Sequence, residues 1–404
     1  MNAPSTLLAV KCVKQCCSLT PLLPLMESFR QMVNECIRIG LQNNVSTMKR
    51  LSKLCYPQLA EYDVISYYKL HAISKAAGIL ANRKQSIKRC RRTRDPYLKK
   101  PILVSSYGFK IIDGSLRVPT GDRQYFDIRL NAYTRHVLSG PGLTVHSFTL
   151  ATGNSSLSIC YSKEIPEIDC TSNVGVDRNL TNLTVGNIHS VKQYDLSKAS
   201  DIVENTRSLV RSFRRNDVRI RRRLAGKYGK RRANRVNQLL HHVSRFVVKN
   251  AKNERTSVAF EKLINIRNLY RKGNRQGRNY RSKLNGWSFA EIKRQIAYKA
   301  KWEGIPVIQL SASQTGGTSQ LCPQCGKRLQ EDRLHRRELF CCECNRWLDR
   351  DVVAAMNISR KGAEVFQRSR GLAGEAMVEE SGSVRPVILR VDASKFNRRG
   401  MSLY

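Results

Sequence analysis

Four cysteines near the end of the chain set the strongest constraint on its fold. Cys322, Cys325, Cys341 and Cys344 follow the pattern C-x2-C-x15-C-x2-C, which is a strong signature of a zinc site. Each C-x2-C turn presents two thiolates to one ion, and four thiolates complete a closed, tetrahedral, structural site. The spacing therefore predicts a zinc ribbon over residues 318–348.

Two alternatives stay open for these residues, because chance clustering or a pair of disulfides would also place four cysteines here. Cys342 is the ambiguous neighbour. Its use as a ligand would leave a single residue between the second pair, so Cys341 is preferred. Gly326 follows the first pair, where a tight or left-handed backbone suits the turn.

The other cysteines show no such spacing. An odd total of 13 without a regular framework argues against a secreted disulfide scaffold. We expect small buried hydrophobic side chains rather than redox groups, in a protein of the reducing cytoplasm. These cysteines are Cys12, Cys16, Cys17, Cys36, Cys55, Cys90, Cys160 and Cys170.

The charge of the chain indicates a polyanionic partner. Lys and Arg total 72 against 31 acids, a formal net charge of +41, and a long polyanion relieves such self-repulsion. Nucleic acid is favoured because each neutralised phosphate releases counterions. A membrane is the competing partner, but the apolar stretches fall far short of about 18 residues, and Lys11 interrupts the apolar Leu7–Val10. We expect no membrane association.

The periodicity of the chain predicts several domains. Residues 1–170 begin with a strand-like segment, continue with helical spacing at about 22–95 and end in short strands, which predicts a small β-barrel with a helical insert. Residues 171–317 alternate between strands and helices and include the helical, basic stretch 198–252, so they are typical of an α/β domain. That domain resumes after the ribbon at 349–370, and residues 371–404 are expected to be a partly disordered tail.

Basic residues concentrate in two segments. Sixteen Lys and Arg lie between Arg207 and Lys252, with Asp217 as the only acid. A solvated helix face is the ordinary explanation of a charge run but usually mixes both signs, so a nucleic-acid channel is favoured here. Tyr270–Lys283 is interpreted as a mobile loop over single-stranded DNA. The candidate contacts are Arg211, Arg214, Arg215, Arg219, Arg221, Arg222, Arg223, Lys227, Lys230, Arg231, Arg232 and Arg235 in the first segment, and Arg271, Lys272, Arg275, Arg278 and Arg281 in the second.

Three acids stand at the ends of predicted strands or at a helix start. Asp177 and Glu261 follow apolar strands, and Asp351 begins a helix. Two-metal phosphodiester hydrolysis needs such groups, because hard cations such as Mg²⁺ take oxygen ligands. Without metal, three converging carboxylates repel one another, so at least one should resist ionisation.

Each acid taken singly also has an ordinary structural explanation. Asp177 could be a turn residue, and Glu261 could be a solvated strand end paired with Lys262. Asp349 and Asp351 could be helix caps, which is the commoner role of aspartate at a helix start. The spacing alone does not bring the three acids together.

Six segments in a fixed order carry a family resemblance. They are VGVDRNLTNLTVGN at 174–187, KYGKRRANRVNQLLHHVSRFVV at 227–248, SVAFEKLINIR at 257–267, GWSFAEIKRQIAYKAKWEGIPV at 286–307, TSQLCPQCGKR at 318–328 and FCCECNRWLDRDVVAAMNI at 340–358. As a set they resemble the TnpB (OrfB) proteins of insertion sequences, relatives of the type V CRISPR effector nucleases. The first 170 residues match in outline only.

The resemblance implies an RNase H-like (RuvC-like) nuclease with a catalytic, magnesium-binding triad of Asp177, Glu261 and Asp351. Asp351 is preferred over Asp349 because the family motif runs Asp-x-x-Ala-Ala from it. The first half is implied to be a β-barrel wedge with a helical recognition insert. A guide RNA from the element's end would pair with double-stranded DNA while the protein grips backbone shape. A monomer of the prokaryotic cytoplasm is expected.

Two other function classes remain open. One is a catalytically dormant nucleic-acid-binding accessory or regulator of transposition, against which the presence of all three carboxylates argues. The other is a transposase that joins strands, since similar acids serve that chemistry.

The charge distribution predicts a steep salt dependence of nucleic-acid binding. If about eight basic groups contact phosphates, the logarithm of the association constant falls with the logarithm of salt concentration at a slope of about −7. Anisotropy titrations of a labelled duplex at several salt concentrations measure the slope. A slope shallower than about −3 contradicts phosphate contacts as the main source of affinity.

Overall fold

Two units make up the chain, an amino-terminal unit of residues 8–164 and a carboxyl-terminal unit of residues 1–7 with 165–404. The computed structural model describes residues 6–88, 93–121, 123–213, 217–263, 266, 273, 275–287, 289–332, 337–369 and 386–393. In these ranges no helix combines the length and apolar character needed to cross a bilayer.

The amino-terminal unit combines two sheets with helices. Its strands are β1 (Thr6–Cys16), β2 (Ile102–Ser105), β3 (Lys110–Ile112), β4 (Ser115–Gly121), β5 (Gln124–Arg129), β6 (Leu143–Ala151) and β7 (Ser156–Pro166). Its helices are α1 (Leu23–Gln42), α2 (Met48–Gln58), α3 (Ser66–Lys88) and α4 (Ala132–Leu138). One sheet has the order β1-β7-β6-β2 and the other β3-β4-β5. Closure of these strands into a barrel stays a prediction.

Some of the cysteines outside the zinc pattern are buried and others are not. The expectation that they are buried hydrophobic side chains is wrong for two of them. Cys12 and Cys16 are exposed. Both lie on β1, where exposed and buried residues alternate because successive side chains of a strand point to opposite faces. Cys90 lies outside the described residues. The buried ones are Cys36, Cys55 and Cys170.

A six-stranded mixed sheet forms the centre of the carboxyl-terminal unit. The strands of this unit are β8 (Ser172–Arg178), β9 (Asn182–Gly186), β10 (Ser190–Asp195), β11 (Thr256–Phe260), β12 (Val307–Gln309), β13 (Gln330–Glu331), β14 (Glu338–Cys341), β15 (Arg346–Asp349) and β16 (Val387–Asp392). Its helices are α5 (Ser197–Ser212), α6 (Val218–Asn253), α7 (Arg278–Gly286), α8 (Phe289–Trp302), α9 (Ala312–Thr315) and α10 (Arg350–Ser369). The sheet order is β12-β11-β8-β9-β10-β16. Strands β8, β9 and β10 are antiparallel neighbours, and β11 and β12 join in parallel.

The two faces of this sheet carry different helices, because side chains alternate along each strand. Val174 and Val176 of β8 share a buried cluster with residues of α5, α6 and α8. Ala259 of β11 belongs instead to a cluster with Ile358 and Phe366 of α10. The sheet therefore lies between α10 on one face and the other three helices on the opposite face.

Helix α10 packs directly on β8 at Gly175. A Cβ atom at Gly175 would lie 2.1 Å from the carbonyl oxygen of Ala355 and 2.5 Å from the amide nitrogen of Ser359. Two hydrogen bonds cross the same contact. Nδ2 of Asn173 donates to the carbonyl oxygen of Ser359 over 2.7 Å, and Oγ of Ser359 donates to the carbonyl oxygen of Asn173 over 2.5 Å. The missing side chain at Gly175 thus sets the distance between α10 and the sheet.

The cysteine segment is a three-stranded sheet that leads straight into α10. Strands β13, β14 and β15 pair in antiparallel fashion, and β15 ends at Asp349, one residue before the helix begins. Val353 of α10 packs into the small core around Cys322 and Cys341. Nδ2 of Asn357 donates to the carbonyl oxygen of Thr318 over 2.9 Å. Both contacts hold the start of α10 against the cysteine segment.

One feature differs from the sequence-based expectations. The helical stretch 198–252 consists of α5 and α6, and residues 214–216 between them lie outside the described residues. Within the expected tail, Val387–Asp392 forms β16, which pairs in parallel with β10. The remainder of the tail, 370–385 and 394–404, lies outside the described residues.

Enlarging Gly175 should destabilise the carboxyl-terminal unit. In Gly175→Ala the new methyl group meets backbone atoms of α10, and overpacking of this kind costs about 1–3 kcal/mol or more. Thermal unfolding measures the loss. Gly226→Ala is the control, because among the described residues no atom beyond its own helix turn lies within 4 Å of a Cβ there and alanine favours a helix by about 1 kcal/mol. Equal stability of the two variants contradicts the close contact.

Candidate functional site

Asp177 and Glu261 lie side by side on neighbouring parallel strands. Val176 of β8 is opposite Phe260 of β11, so the next residue along each strand is an acid. Side chains at matching positions of parallel strands point to the same face, and for these two it is the face of Gly175, which α10 covers. Asp177 is 8% exposed and Glu261 is 9% exposed. Their alternative explanations, as a turn residue and as a solvated strand end, are therefore wrong.

Asp351 reaches the same face of the sheet from the first turn of α10. Its Oδ2 accepts a hydrogen bond of 2.9 Å from Nδ2 of Asn182, at the start of β9. Asp349 has a different role, because its Oδ1 accepts from the backbone N–H groups of Asp351 at 2.8 Å and of Val352 at 3.1 Å. Asp349 is the helix cap, which leaves the carboxylate of Asp351 available at the site.

All three carboxylates have a raised pKa, and that of Asp177 depends on the other two acids. Burial raises the pKa of Asp177 well above its usual range, and the charges of Glu261 and Asp351 raise it further. Burial also raises the pKa of Glu261 and that of Asp351. A hydrogen bond of 2.6 Å from Asn179 lowers the pKa of Asp177, but this effect is smaller than the rise. The metal-free site resists full ionisation, as converging carboxylates should.

Arg178 balances part of this charge from the other side of β8. Its two terminal nitrogens donate to the carbonyl oxygens of Phe289 at 3.1 Å and of Glu261 at 3.0 Å. Its Nε lies 3.6 Å from Oε1 of Glu261, and its charge opposes the rise that burial causes in the pKa of Glu261. Arg178 thus connects the end of β11 to the start of α8.

Two buried oxygen atoms at this site lack a hydrogen-bond donor in the described part of the chain, Oε1 of Glu261 and Oδ1 of Asn182. Buried acceptors without a donor are uncommon, and hard cations take such oxygens as ligands. The three carboxylates supply the same kind of oxygen, so the chemistry of the donors, though not a compact single-ion cluster, suits Mg²⁺. Over the described residues, only the four cysteines bring three or more candidate ligand atoms within 4.8 Å of one another, so the carboxylates are spread more widely than the ligands of one ion.

Sequence reasoning missed three residues that surround the carboxylates. Asn179 and Arg178 follow Asp177 directly in the chain, but neither carries a pattern that reveals its partner. Asn182 becomes visible only through the pairing of β8 with β9, which brings it beside Asp351, 169 positions away. The clustering of amides within five residues of Asp177 is the one signal that could have marked them.

The four predicted zinc ligands come together as one group. The Sγ atoms of Cys322 and Cys344 are 3.9 Å apart, and those of Cys325 and Cys341 are 3.5 Å apart. Tetrahedral zinc with bonds of about 2.3 Å separates its sulfurs by about 3.8 Å, whereas a disulfide joins them at about 2.05 Å. The arrangement fits a closed zinc site. Cys342 is exposed and takes no part.

The turn around the first cysteine pair also favours metal binding. Gly326 has a φ of 72°, the left-handed backbone expected after the pair. Burial raises the pKa of Cys322, but hydrogen bonds from the backbone N–H groups of Cys325 and Gln324 and with the thiols of Cys325 and Cys341 together bring that pKa to about 7. A thiol with such a pKa supplies a thiolate ligand near neutrality.

The basic candidates lie mainly on the surface of α6. Arg214, Arg215, Arg271 and Lys272 lie outside the described residues. Two side chains of α6, Arg221 and Arg232, are half-buried, and Arg281 of α7 is half-buried as well. The exposed candidates are Arg211, Arg219, Arg222, Arg223, Lys227, Lys230, Arg231, Arg235, Arg275 and Arg278.

The expected loop Tyr270–Lys283 is wrong in its second half, because Arg278–Gly286 forms helix α7. The helix packs against α5. A terminal nitrogen of Arg207 donates to the carbonyl oxygen of Ser282 over 3.0 Å, and Nζ of Lys283 lies 3.0 Å from Oε2 of Glu204. These contacts, with the buried Leu284, stabilise a helix where glycine and arginine suggested a loop.

Comparisons with known proteins agree with this arrangement. The family described as Cas12f1-like, TNB domain, matches residues 289–358. A TnpB-like protein of Methanocaldococcus jannaschii is 32% identical over 219 residues, which cover 52% of this chain and 76% of that protein. InsQ of Escherichia coli, provisionally named an RNA-guided DNA endonuclease, is 36% identical over 98 residues, which cover 22% of this chain and 23% of InsQ.

The fold is shared with a solved structure. The cryo-EM structure of a Cas12f1–sgRNA–target DNA complex superposes with a TM-score of 0.56 at 14% identity, over 84% of this chain and 82% of that one. The chain thus shares the fold of that structure and carries a cluster of four cysteines that could hold a metal ion. The chain belongs to the TnpB family, which is related to the type V CRISPR effectors.

Removing one zinc ligand should release the metal and loosen the ribbon. We expect Cys341→Ser to lose the single bound zinc ion, because a closed site needs all four thiolates, and to lower the melting temperature by several degrees. Metal analysis of the purified protein gives the stoichiometry.

Cys342→Ser is the matched control, since it changes the adjacent cysteine and should keep one zinc ion per chain. If Cys341→Ser retains zinc and Cys342→Ser loses it, Cys342 is the ligand and Cys341 is not.

Proposed function

We propose that this protein is an RNA-guided DNA endonuclease encoded by a transposable element, which hydrolyses phosphodiester bonds with two Mg²⁺ ions held by Asp177, Glu261 and Asp351. The observation that carries the proposal is the placement of three buried or half-buried carboxylates on one face of the sheet, where Glu261 and Asp351 raise the pKa of Asp177. A dormant nucleic-acid-binding protein has no need of that repulsion.

The residues around the site have distinct parts in this chemistry. Glu261 and Asp351 both raise the pKa of Asp177, and we propose that Asp177 would contact both ions. Asn182 orients Asp351 through its hydrogen bond. When bound, two Mg²⁺ ions activate the attacking water and stabilise the leaving oxygen. Loading of the ions would also restore the ionised state of all three acids.

The partners follow from charge and from the relatives. InsQ carries the name of an RNA-guided endonuclease, and the Cas12f1 structure contains a guide RNA and target DNA, so we propose the same two partners here. The exposed basic residues of α6 and α7 would contact phosphates. We further propose that the protein acts in the prokaryotic cytoplasm as a monomer, in line with relatives from an archaeon and a bacterium.

Loss of a single carboxylate should abolish cleavage and leave binding intact. For Asp177→Asn or Asp351→Asn, purified with the co-expressed RNA, we expect plasmid cleavage to fall by at least about a thousandfold, because a metal supplies several kcal/mol of transition-state stabilisation. EDTA should have the same effect on the unaltered protein. Gel-shift affinity for the target should change less than about threefold, because no phosphate contact is removed.

Asp349→Asn is the matched control for the choice between two neighbouring acids. Asparagine caps a helix as well as aspartate does, so this variant should keep its cleavage rate within a few fold. Cleavage undiminished in Asp177→Asn removes that residue from the mechanism. Strand joining in place of hydrolysis would favour a transposase.

A further inference from the structure

Two cysteines lie opposite each other on neighbouring strands of the amino-terminal unit. Strands β1 and β7 are adjacent in the sheet β1-β7-β6-β2. The backbone N–H of Cys17 donates to the carbonyl oxygen of Ser155 over 2.9 Å. This bond joins the end of β1 to the start of β7, so the two strands are antiparallel. Five residues back along β1 and five residues forward along β7 lead to Cys12 and Cys160, which therefore face each other.

Burial and contact agree with this pairing. Val13 and Ile159, the next pair along the two strands, are both buried. Cys12 is exposed and Cys160 is half-buried, as expected when successive side chains point to opposite faces of a sheet. The thiol of Cys160 is hydrogen-bonded to the thiol of Cys12. The two thiols therefore contact each other on the face of the sheet that is turned away from the core.

The spacing of the two strands at this pair suits a disulfide. Cys17 and Ser155 are a hydrogen-bonded pair, and such pairs alternate along an antiparallel ladder with pairs that lack these bonds. An odd number of steps separates the two positions, so Cys12 and Cys160 form a pair of the second kind. Its Cα atoms are about 4.5 Å apart, and disulfides join Cα atoms separated by about 4.4–6.8 Å.

The surroundings of the two thiols assign them different parts in an oxidation. Burial and the charge of Cys12 raise the pKa of Cys160 to about 11, although a hydrogen bond with Ser147 acts against the rise. Cys160 therefore stays a thiol near neutrality. Cys12 is exposed, so it is the thiol that meets an oxidant in the solvent. Once Cys12 is oxidised to an uncharged sulfenic acid, its charge no longer opposes the ionisation of Cys160.

We propose that Cys12 and Cys160 are a peroxide-responsive pair that closes into a reversible disulfide between β1 and β7. The thiolate sulfur of Cys12 attacks one oxygen of hydrogen peroxide, the O–O bond breaks, and the other oxygen leaves as water after protonation. The sulfur of Cys160 then attacks the sulfenic sulfur of Cys12, and the hydroxyl group leaves with the proton of Cys160 as a second water. Two thiols are oxidised by two electrons and one peroxide is reduced.

The disulfide would fasten an edge strand of the sheet. Strand β1 has a neighbour on one side only, β7, and the bond would join positions 12 and 160, which are 148 residues apart. Closing so long a loop restricts the unfolded chain and stabilises the folded one. A thiol reductant reverses the reaction by exchange, and disulfides of a reducing compartment are transient in this way. The modification is independent of the proposed nuclease function.

A second pair of thiols serves as an internal control. Cys36 of α1 and Cys55 of α2 are also hydrogen-bonded to each other. Both side chains are 0% exposed, so peroxide does not reach them in the folded protein. Contact alone therefore leaves a pair reduced, and contact with exposure makes it reactive.

Peptide mapping of the full chain tests the proposal. The zinc-loaded protein is treated with hydrogen peroxide, blocked with N-ethylmaleimide and digested with trypsin. Cleavage after Lys11, Lys14, Arg135 and Lys163 releases peptides 12–14 and 136–163, each with a single cysteine. We expect mass spectrometry to find these two peptides linked, and to find them separate after treatment with dithiothreitol.

Two serine variants provide the matched comparison. Cys160→Ser removes the partner of Cys12, whereas Cys16→Ser changes another exposed cysteine of β1, which the same register places opposite Ser156. We expect oxidation to raise the melting temperature of the unaltered protein and of Cys16→Ser by about 5 °C, because a long loop is closed. Cys160→Ser should show no rise and no linked peptide. Zinc analysis of each sample shows that the ribbon is intact.

Three results would overturn the proposal. The first is the absence of linked peptides 12–14 and 136–163 from the oxidised protein. The second is linkage of Cys36 to Cys55 to the same extent, which would show oxidation of an opened chain rather than of an exposed pair. The third is a rise in melting temperature in Cys160→Ser equal to that of the unaltered protein. Each of these results leaves the nuclease proposal intact.

Discussion

The contact between α10 and β8 at Gly175 is the constraint on which the site depends. Asp177 and Glu261 sit on adjacent strands and would be neighbours in any sheet with this register. Asp351 joins them only because its helix lies close enough to the sheet for backbone to meet backbone. A larger residue at Gly175 would lift the helix and move the third carboxylate outward. The close packing at Gly175 therefore determines whether Asp351 lies beside the other two carboxylates.

The clustering of the three carboxylates lowers the stability of the folded protein when all three are ionised. Burial and mutual repulsion raise the pKa of Asp177, so the ionised, metal-free site is less stable than a neutral one. Arg178 and the two asparagines offset part of this cost. Perturbed ionisation of this kind clusters at functional sites. The ribbon contributes from the other side, because β15 and Val353 hold the first turn of α10 in place.

Local patterns in the sequence predict the zinc ligands and the strands that carry two of the acids. Contacts between distant parts of the chain determine the features that were missed. The zinc ligands follow from spacing alone, since ligand geometry limits the length of each turn. The two strands that carry Asp177 and Glu261 follow from short apolar runs. Strand β16 was missed because its pairing with β10 joins positions about 200 residues apart, and α7 was missed because contacts with α5 stabilise a Gly- and Arg-rich segment. Asp349 and Asp351 were separable only by the family motif, until the hydrogen bonds assigned the cap.

The order of these parts along the chain affects the protein during its synthesis. The contact that seats α10 joins Asn173 to Ser359 across 186 positions, so five strands of the sheet, β8 to β12, are synthesised before α10, and β16 is synthesised after it. Domains form as the chain is made, amino-terminal parts first. A nascent chain therefore carries α5, α6 and two of the three acids before the third, Asp351, has been made. Under the proposed function, synthesis of α10 is therefore the step that completes the set of three carboxylates.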